Sequence, residues 1–194
     1  YGFQAGAALG LLVFQDIMSL VVSSNYSIAT SVSVVDFGVS QIRAGRLALN
    51  AANAPMMGRS MVLDVNLFDN LLGISNFLQV NLSGNNESLR EGRVGRALGF
   101  DVYEVNALPL TGSPSISGFV GHSTAMAVAM RYLAPQDGNT YLNARPVTDP
   151  QTGLTFGLRD HYDNATGTRY INLEALYGYS KGITNGLRCF ARLN

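Results

Sequence analysis

Charge is what this sequence has least of. Asp, Glu, Lys and Arg make up 13% of its 194 residues, against roughly 25% in an ordinary soluble domain. The 13 basic and 13 acidic residues cancel, so nothing argues for a nucleic-acid groove or a face for anionic membranes. Lysine is nearly missing, with Lys181 its sole representative. Arginine in its place suits protein interfaces, because its planar fork pairs with carboxylates without a tightly held hydration shell. The base composition of a genome can push in the same direction. Tryptophan is absent, which weakens any reading built on an aromatic sugar platform. The lone Cys189 excludes an internal disulfide and a cysteine-based metal site. A long hydrophobic run is missing too: Ala5 to Phe14 is apolar, but Gln15 and Asp16 stop it short of the ~20 residues a membrane span needs. No basic region precedes it, so it is not a signal peptide either.

Apolar residues reach 47%. A chain so rich in them and so poor in charge must cover itself with Ser, Asn, Gly and Thr, or with neighbouring subunits. Its length suits one domain able to bury about 70% of its unfolded surface. The sequence opens at Tyr1 rather than Met, so processing, or an amino-terminal part beyond this sequence, is expected.

In chain order, residues 4–22 read as a helix apolar nearly all round, which other elements should largely cover. Asn25 to Thr30 is a polar break. Ser33 with Asp36 resembles a capping box ahead of a second helix over 34–52, whose apolar face is Val35, Val39, Ile42, Leu49 and Ala52. Pro55 and Gly58 turn the chain into a buried strand, Ser60 to Val65. Asn66 is expected to cap a short helix ending at Gly73. Residues 81–91 read as an exposed loop. Gly92, Gly95 and Gly99 then precede an aromatic, β-branched run, Phe100 to Val105, that predicts a strand buried on both faces. A tight passage at Gly95 or Gly99 is expected there, since glycine enters positive φ cheaply. Ile116 to Val120 predicts a strand, and His122 to Leu133 a helix closed by Pro135, with Met126 and Met130 in the core. A long connection follows to Gly153. Leu154, Phe156 and Leu158 alternate as a half-buried strand does. Asn185-Gly186 predicts a hairpin, completing a three-stranded antiparallel meander.

Reactive groups are few. Gly92-x-x-Gly95-x-x-x-Gly99 lacks the spacing and the strand-then-helix context of a dinucleotide fingerprint. His122-Ser123 suggests a nucleophile, but neighbours on a helix point about 100° apart, so a helix-start pair satisfying backbone groups is the plainer reading. His161 beside Asp160 and Asp163 could join a metal, although such turn clusters are usually just solvated. Asp101, Glu104, Glu87 and Glu91 are the carboxylates open to hydrolytic chemistry, and strand alternation sets Asp101 and Glu104 on opposite faces. Sequons at Asn25, Asn81, Asn86 and Asn164 would matter only in a secreted eukaryotic protein.

The stretch Leu89 to Pro109, L-R-E-G-R-V-G-R-A-L-G-F-D-V-Y-E-V-N-A-L-P, resembles the G-loop-strand signature of tailed-phage major capsid proteins with the HK97-type fold, particularly the P22-coat-like branch. Its neighbours resemble the family in the right order. Ala44 to Val65 matches a helix leading into x-P-x-x-G-R-x-x-V-L, Phe119 to Leu133 a following buried helix, and Leu173 to Arg192 a closing L-Y-G strand and its return partner. The resemblance implies an α+β fold. Residues 1–35 would hold the end of a spine helix and a connection in the peripheral P domain, 36–180 an A domain with a mixed or antiparallel sheet and flanking helices, and 181–194 a strand returning to the P domain. The chain would be the carboxyl-terminal part of a coat subunit. It further implies no catalytic, cofactor-binding or metal residues and no cofactor. Partners would be identical subunits in hexamers and pentamers, with scaffolding, portal and decoration proteins. The shell would form in the host cytoplasm and enclose double-stranded DNA without reading its sequence or touching a membrane. An encapsulin-type compartment is the alternative within the fold. A small carboxylate-dependent hydrolase and a carbohydrate-binding module are alternatives from other classes.

Overall fold

The computed structural model describes residues 2–74, 95–106, 108, 112–134, 142–148 and 153–193, with the side chains of residues 2 and 3 left aside. The chain divides into two compact units, one of residues 15–127 with 181–194, the other of residues 1–14 with 128–180. Helix α1 (Gly2–Met18) contributes to both.

The larger unit is organised on a six-stranded mixed sheet. In chain order its strands are β1 (Ile28–Val32), β2 (Arg59–Asp64), β3 (Arg96–Ala97), β4 (Phe100–Val105), β5 (Ile116–His122) and, at the carboxyl end, β11 (Leu187–Arg192); across the sheet they run β1-β11-β5-β2-β4-β3. β1 is parallel to β11 and β2 to β4, while β5 is antiparallel to both its neighbours. Successive side chains of a strand point to opposite faces, and here both faces are covered. On one, Met61, Leu63, Phe100, Val102, Val120 and Phe190 pack with residues of the two helices below. On the other, Phe119, Leu187, Cys189 and Ala191 pack with Val21 and Tyr26. All of β5 from Ile116 to Gly121 is buried, so β5, not the expected β4, is the strand enclosed on both sides. β4 lies near the sheet edge, with only two-residue β3 outside it, and leaves Tyr103 55% exposed.

Glycines set the fit around β5. Gly118 lies between Phe190 and Leu63 on the neighbouring strands, and a Cβ there would come within 2.9 Å of the Val62 carbonyl oxygen. Helix α2 (Val39–Ala51) crosses this face at Gly45, where a Cβ would meet Val120 Cγ2 at 2.9 Å and the Phe190 ring at 3.1 Å. α2 starts five residues later than the expected 34–52. Residues 34–36 form a separate 3-10 turn, Phe37 leaves the helical path to pack edge-on against Phe190 (5.4 Å), and the Gln41 side chain accepts from Gly38 N–H at 3.0 Å. Helix α3 (Val65–Leu72) buries Leu67, Phe68 and Leu71. Its cap is Asp64 rather than the expected Asn66: Asp64 Oδ1 accepts from Val65 N–H (2.8 Å) and Oδ2 from the Asn66 amide (2.9 Å). Gly73 ends the helix as expected. α1 stops at Met18 rather than 22, because Val21 and Tyr26 turn into the second core, where the Tyr26 hydroxyl donates to the Ala125 carbonyl (2.7 Å). β1 lies in what reads as a polar break; its pairing with β11 makes it a strand.

The sharpest departures begin at residue 122. Residues 122–133 are not helical: after a 3-10 turn at Ser123–Ala125, residues Met126–Arg131 form β6, paired with β10 (Leu176–Lys181). Met-Ala-Val-Ala-Met has helix-like spacing, but pairing overrides so weak a local preference. Met126 and Met130 are only partly buried. The expected meander exists with different members: β7 (Asn143–Thr148), β8 (Thr155–Asp163) and β9 (Thr168–Glu174) form an antiparallel sheet in that order. β7 falls inside the expected long connection. Asn185-Gly186 belongs to a 3-10 turn, not a hairpin, and the last strand joins the larger sheet. The expected loop at 81–91 lies outside the described residues. Among the described residues no helix is long and apolar enough to cross a membrane.

The expected tight passage is at Gly99, whose φ is +91°, with Leu98 at +51° before it. Both central residues of this two-residue β3–β4 turn have positive φ, the geometry that matches strand twist. Gly99→Ala should cost about 1–2 kcal/mol and lower the melting temperature, although nothing lies within 4 Å of the added methyl. Two helical glycines give opposite expectations. Gly45→Ala should lower the melting temperature, because overpacking costs about 1–3 kcal/mol and exceeds the ~1 kcal/mol gained in helix propensity. Gly10→Ala in α1 meets open space and should raise it. Thermal unfolding of the three variants checks all three signs.

Candidate assembly surface

The residues with the strongest claim to chemistry are each held in structural work. His122, at the end of β5, accepts from Thr124 N–H (3.3 Å) and has its Nδ1 3.0 Å from Thr124 Oγ1, so it caps the turn into β6. Asp160, His161 and Asp163 all lie on β8, but each has its own engagement. The buried Asp160 carboxylate takes a two-pronged pair from Arg169, with Nε donating to Oδ1 at 2.8 Å and Nη2 to Oδ2. His161 stacks on Tyr170 at 5.2 Å. Asp163 closes the β8–β9 turn, accepting from Ala165 N–H (2.9 Å) and the Thr166 hydroxyl (2.8 Å). Asp101 and Glu104 lie on opposite faces of β4, as alternation predicts, and Asp101 faces Arg96 at 3.8 Å. Glu87, Glu91, Gly92, Asn81 and Asn86 lie outside the described residues. The Asn25 amide donates to the Leu20 carbonyl (2.9 Å). Burial pushes the Cys189 thiol up to about 12, which leaves it an unreactive packing group. β10 sets Tyr177 and Tyr179 nearly parallel, 6.1 Å apart, the pair a sugar-binding reading would start from.

What the geometry leaves open instead is apolar surface. In the larger unit Val35 (81%), Met57 (84%) and Leu47 (70%) are largely in water. In the smaller, Leu12 of α1 and Ile171 of β9 are exposed, and Val13 is the one buried residue along the described part of α1. A groove of about 540 Å³ runs along α2, lined by Ser40, Arg43, Ala44, Arg46, Leu47, Asn50 and, from the β3–β4 turn, Leu98. Arg59 bonds to Asn50 on the groove wall. Its guanidinium is buried and donates to the Pro55 carbonyl (2.7 Å), the Ala54 carbonyl (2.7 Å) and Asn50 Oδ1 (2.8 Å). These bonds tie the end of α2 to the start of β2. Sequence reasoning found the P-x-x-G-R passage but not this role, nor the groove, which exists only once α2 and the β3–β4 turn are brought together.

No protein-family model and no curated protein matches the chain. Solved structures do. A chain of Mycobacterium phage Che8 superposes with a TM-score of 0.62 at 20% identity, over 97% of this chain and 61% of that one. The bacteriophage PhiM1 mature capsid gives 0.62 at 14% identity, over 100% of this chain and 63% of that one. The capsid of cyanophage P-SCSP1u gives 0.62 at 14%, over 100% and 65%. The chain thus spans somewhat under two thirds of the length of these proteins. Its fold is the HK97-like fold of phage capsid subunits, α+β with a mixed sheet and, among the described residues, three α-helices. The P22-coat-like branch is not confirmed by these neighbours.

Arg169 holds Asp160 below the usual carboxylate range by its hydrogen bonds, and the Thr166 and Ala165 donors do the same for Asp163. A lowered folded-state value means stability that is complete above the ordinary carboxylate range, near ~4, and lost as pH falls through the lowered one. Asp160→Asn should therefore lower the melting temperature at neutral pH and flatten its fall below about pH 4. Melting temperature followed against pH in both proteins tests the pair.

Proposed function

We propose that the chain belongs to a structural capsid subunit that tiles a closed shell through contacts between identical copies. The observation that carries this reading is the superposition of 97–100% of the chain on phage structures, two of them capsids. Exposed apolar groups and low charge support it, since a tiling subunit covers such surface with its neighbours. Head-to-tail contacts that close by rotation would give the five- and six-membered rings of an icosahedral shell. The subunit's work is then geometric rather than enzymatic, and its place is the virion capsid. In the finer reading the shell forms in the host cytoplasm with scaffolding, portal and decoration proteins and encloses double-stranded DNA without reading its bases.

The domain reading follows the two compact units. The unit of 15–127 with 181–194 is the A-type domain that surrounds a capsomer centre. α1, which both units share, is the end of the spine helix, and residues 128–180 belong to the peripheral P-type domain. This reading differs from the sequence-based limits of 1–35, 36–180 and 181–194, and the pairing of β11 with β5 and β1 supports it.

A hydrolase is not favoured, because Asp101 and Glu104 diverge and Asp160 is neutralised by Arg169. An encapsulin-type compartment would share the fold and differ in cargo. Electron micrographs and sedimentation velocity of the expressed protein under assembly conditions test the proposal. Rings or closed shells are expected, and nuclease-resistant DNA inside shells recovered from the host would separate a virion from a protein-cargo compartment. A monomer at every concentration and salt, turning over a small substrate, would reject the shell.

A further inference from the structure

We infer that the groove along α2 receives a second copy of this chain, which inserts the corner Val35-Asp36 together with Asp69. The inference rests on the shell reading and names one of its contacts.

The charge layout of the larger unit carries it. α2, V-S-Q-I-R-A-G-R-L-A-L-N-A, contains Arg43 and Arg46 and no acid; α3, V-N-L-F-D-N-L-L, contains Asp69 and no base. Arg43, Arg46, Asp36 and Asp69 are all exposed. Among the described residues none of the four enters an ion pair, so neither patch is neutralised by the other within one copy. The two arginines stand beside Leu47 and Leu98 on the groove wall, an apolar floor with a basic rim. The corner has the complementary make-up. Val35 is 81% exposed and Asp36 follows it. The Asn70 amide donates to the Val34 carbonyl, which fixes the corner against α3, the helix that carries Asp69. An apolar knob that carries Asp36, held against a helix that carries Asp69, therefore complements an apolar groove lined by two guanidinium groups, which pair with carboxylates in a planar fork.

The two patches are different surfaces of one chain, so a contact between them is heterologous and repeats head to tail, as a ring requires. The floor also argues against a nucleic-acid phosphate as occupant, because a phosphate track would leave Leu47 and Leu98 in water. Leu98 is held at positive φ while packing on the core, which fixes the groove wall before any partner arrives.

The test is charge reversal on exposed positions. Arg43→Glu with Arg46→Glu, and separately Asp36→Arg with Asp69→Arg, should each cut the assembled fraction in sedimentation about tenfold or more, since like charges facing each other across an interface oppose association. Circular dichroism and melting temperature should stay at wild-type values. The quadruple variant, with the charges exchanged, should recover assembly. Wild-type-like assembly of both double variants, or no recovery in the quadruple, would overturn the contact while leaving the shell reading intact. Normal assembly of the arginine double variant with loss of packaged DNA would overturn it in favour of nucleic acid. A wild-type protein that never assembles would remove the shell reading itself, and the contact with it.

Discussion

The larger unit depends on one constraint: β5 is enclosed on both faces and both edges. Its neighbours β11 and β2 satisfy its backbone, and the two cores cover its side chains. A strand in that position cannot carry large groups everywhere. Gly118 gives way to Phe190 and Leu63, Gly121 to Leu187, and Phe119 sits where Cys189 and Val62 are its cross-strand neighbours. Large residues on one strand oppose small ones on the next, which is how interiors reach crystal-like density. The approach of α2 follows from the same rule, because Gly45 lets the helix rest on Val120 and Phe190.

Ionisable groups are few, and the described structure uses them as fasteners. Arg59 ties the end of α2 to β2 with three hydrogen bonds. Asp64 caps α3, His122 caps the turn into β6, and Asp163 closes the β8–β9 turn. In the smaller unit, Arg159 pairs with Glu174 at 2.5 Å and Arg169 with Asp160. A buried polar group costs free energy unless it is paired, and these positions meet that demand locally. Residues so engaged are poorly placed for catalysis. The same economy leaves side chains such as Val35, Leu47 and Met57 largely in water.

Strand β11 shows how a late piece of sequence completes an early one. Residues 187–192 insert between β1 and β5, more than fifty residues beyond the rest of the sheet. The sheet therefore cannot close until the chain end is in place. Such long-range pairing slows folding, because loop closure must precede the contacts that reward it.

Local chemistry was sufficient to determine some features of this chain. Gly73 ends α3 because no side chain favours continuation, and the Leu98-Gly99 turn is tight because glycine tolerates positive φ. Phe156 is buried and Leu158 half-buried in a strand because they alternate, and Asp101 and Glu104 diverge for the same reason. The capsid-like fold was legible too, from glycines, prolines and an arginine in a fixed order. Tertiary structure decided the rest. Met126 to Arg131 has spacing that suits a helix, and only β10 beside it makes it a strand. Ile28 to Val32 is too polar to read as a strand, and its pairing comes from β11, some 160 residues away. The cap passed from Asn66 to Asp64, and Asn185-Gly186 gave up its hairpin to deliver β11 to the sheet. These local preferences are each worth a kcal/mol or less, while seating β11 in the sheet buries Leu187, Cys189, Phe190 and Ala191, with large apolar side chains worth about 1.5–3 kcal/mol each.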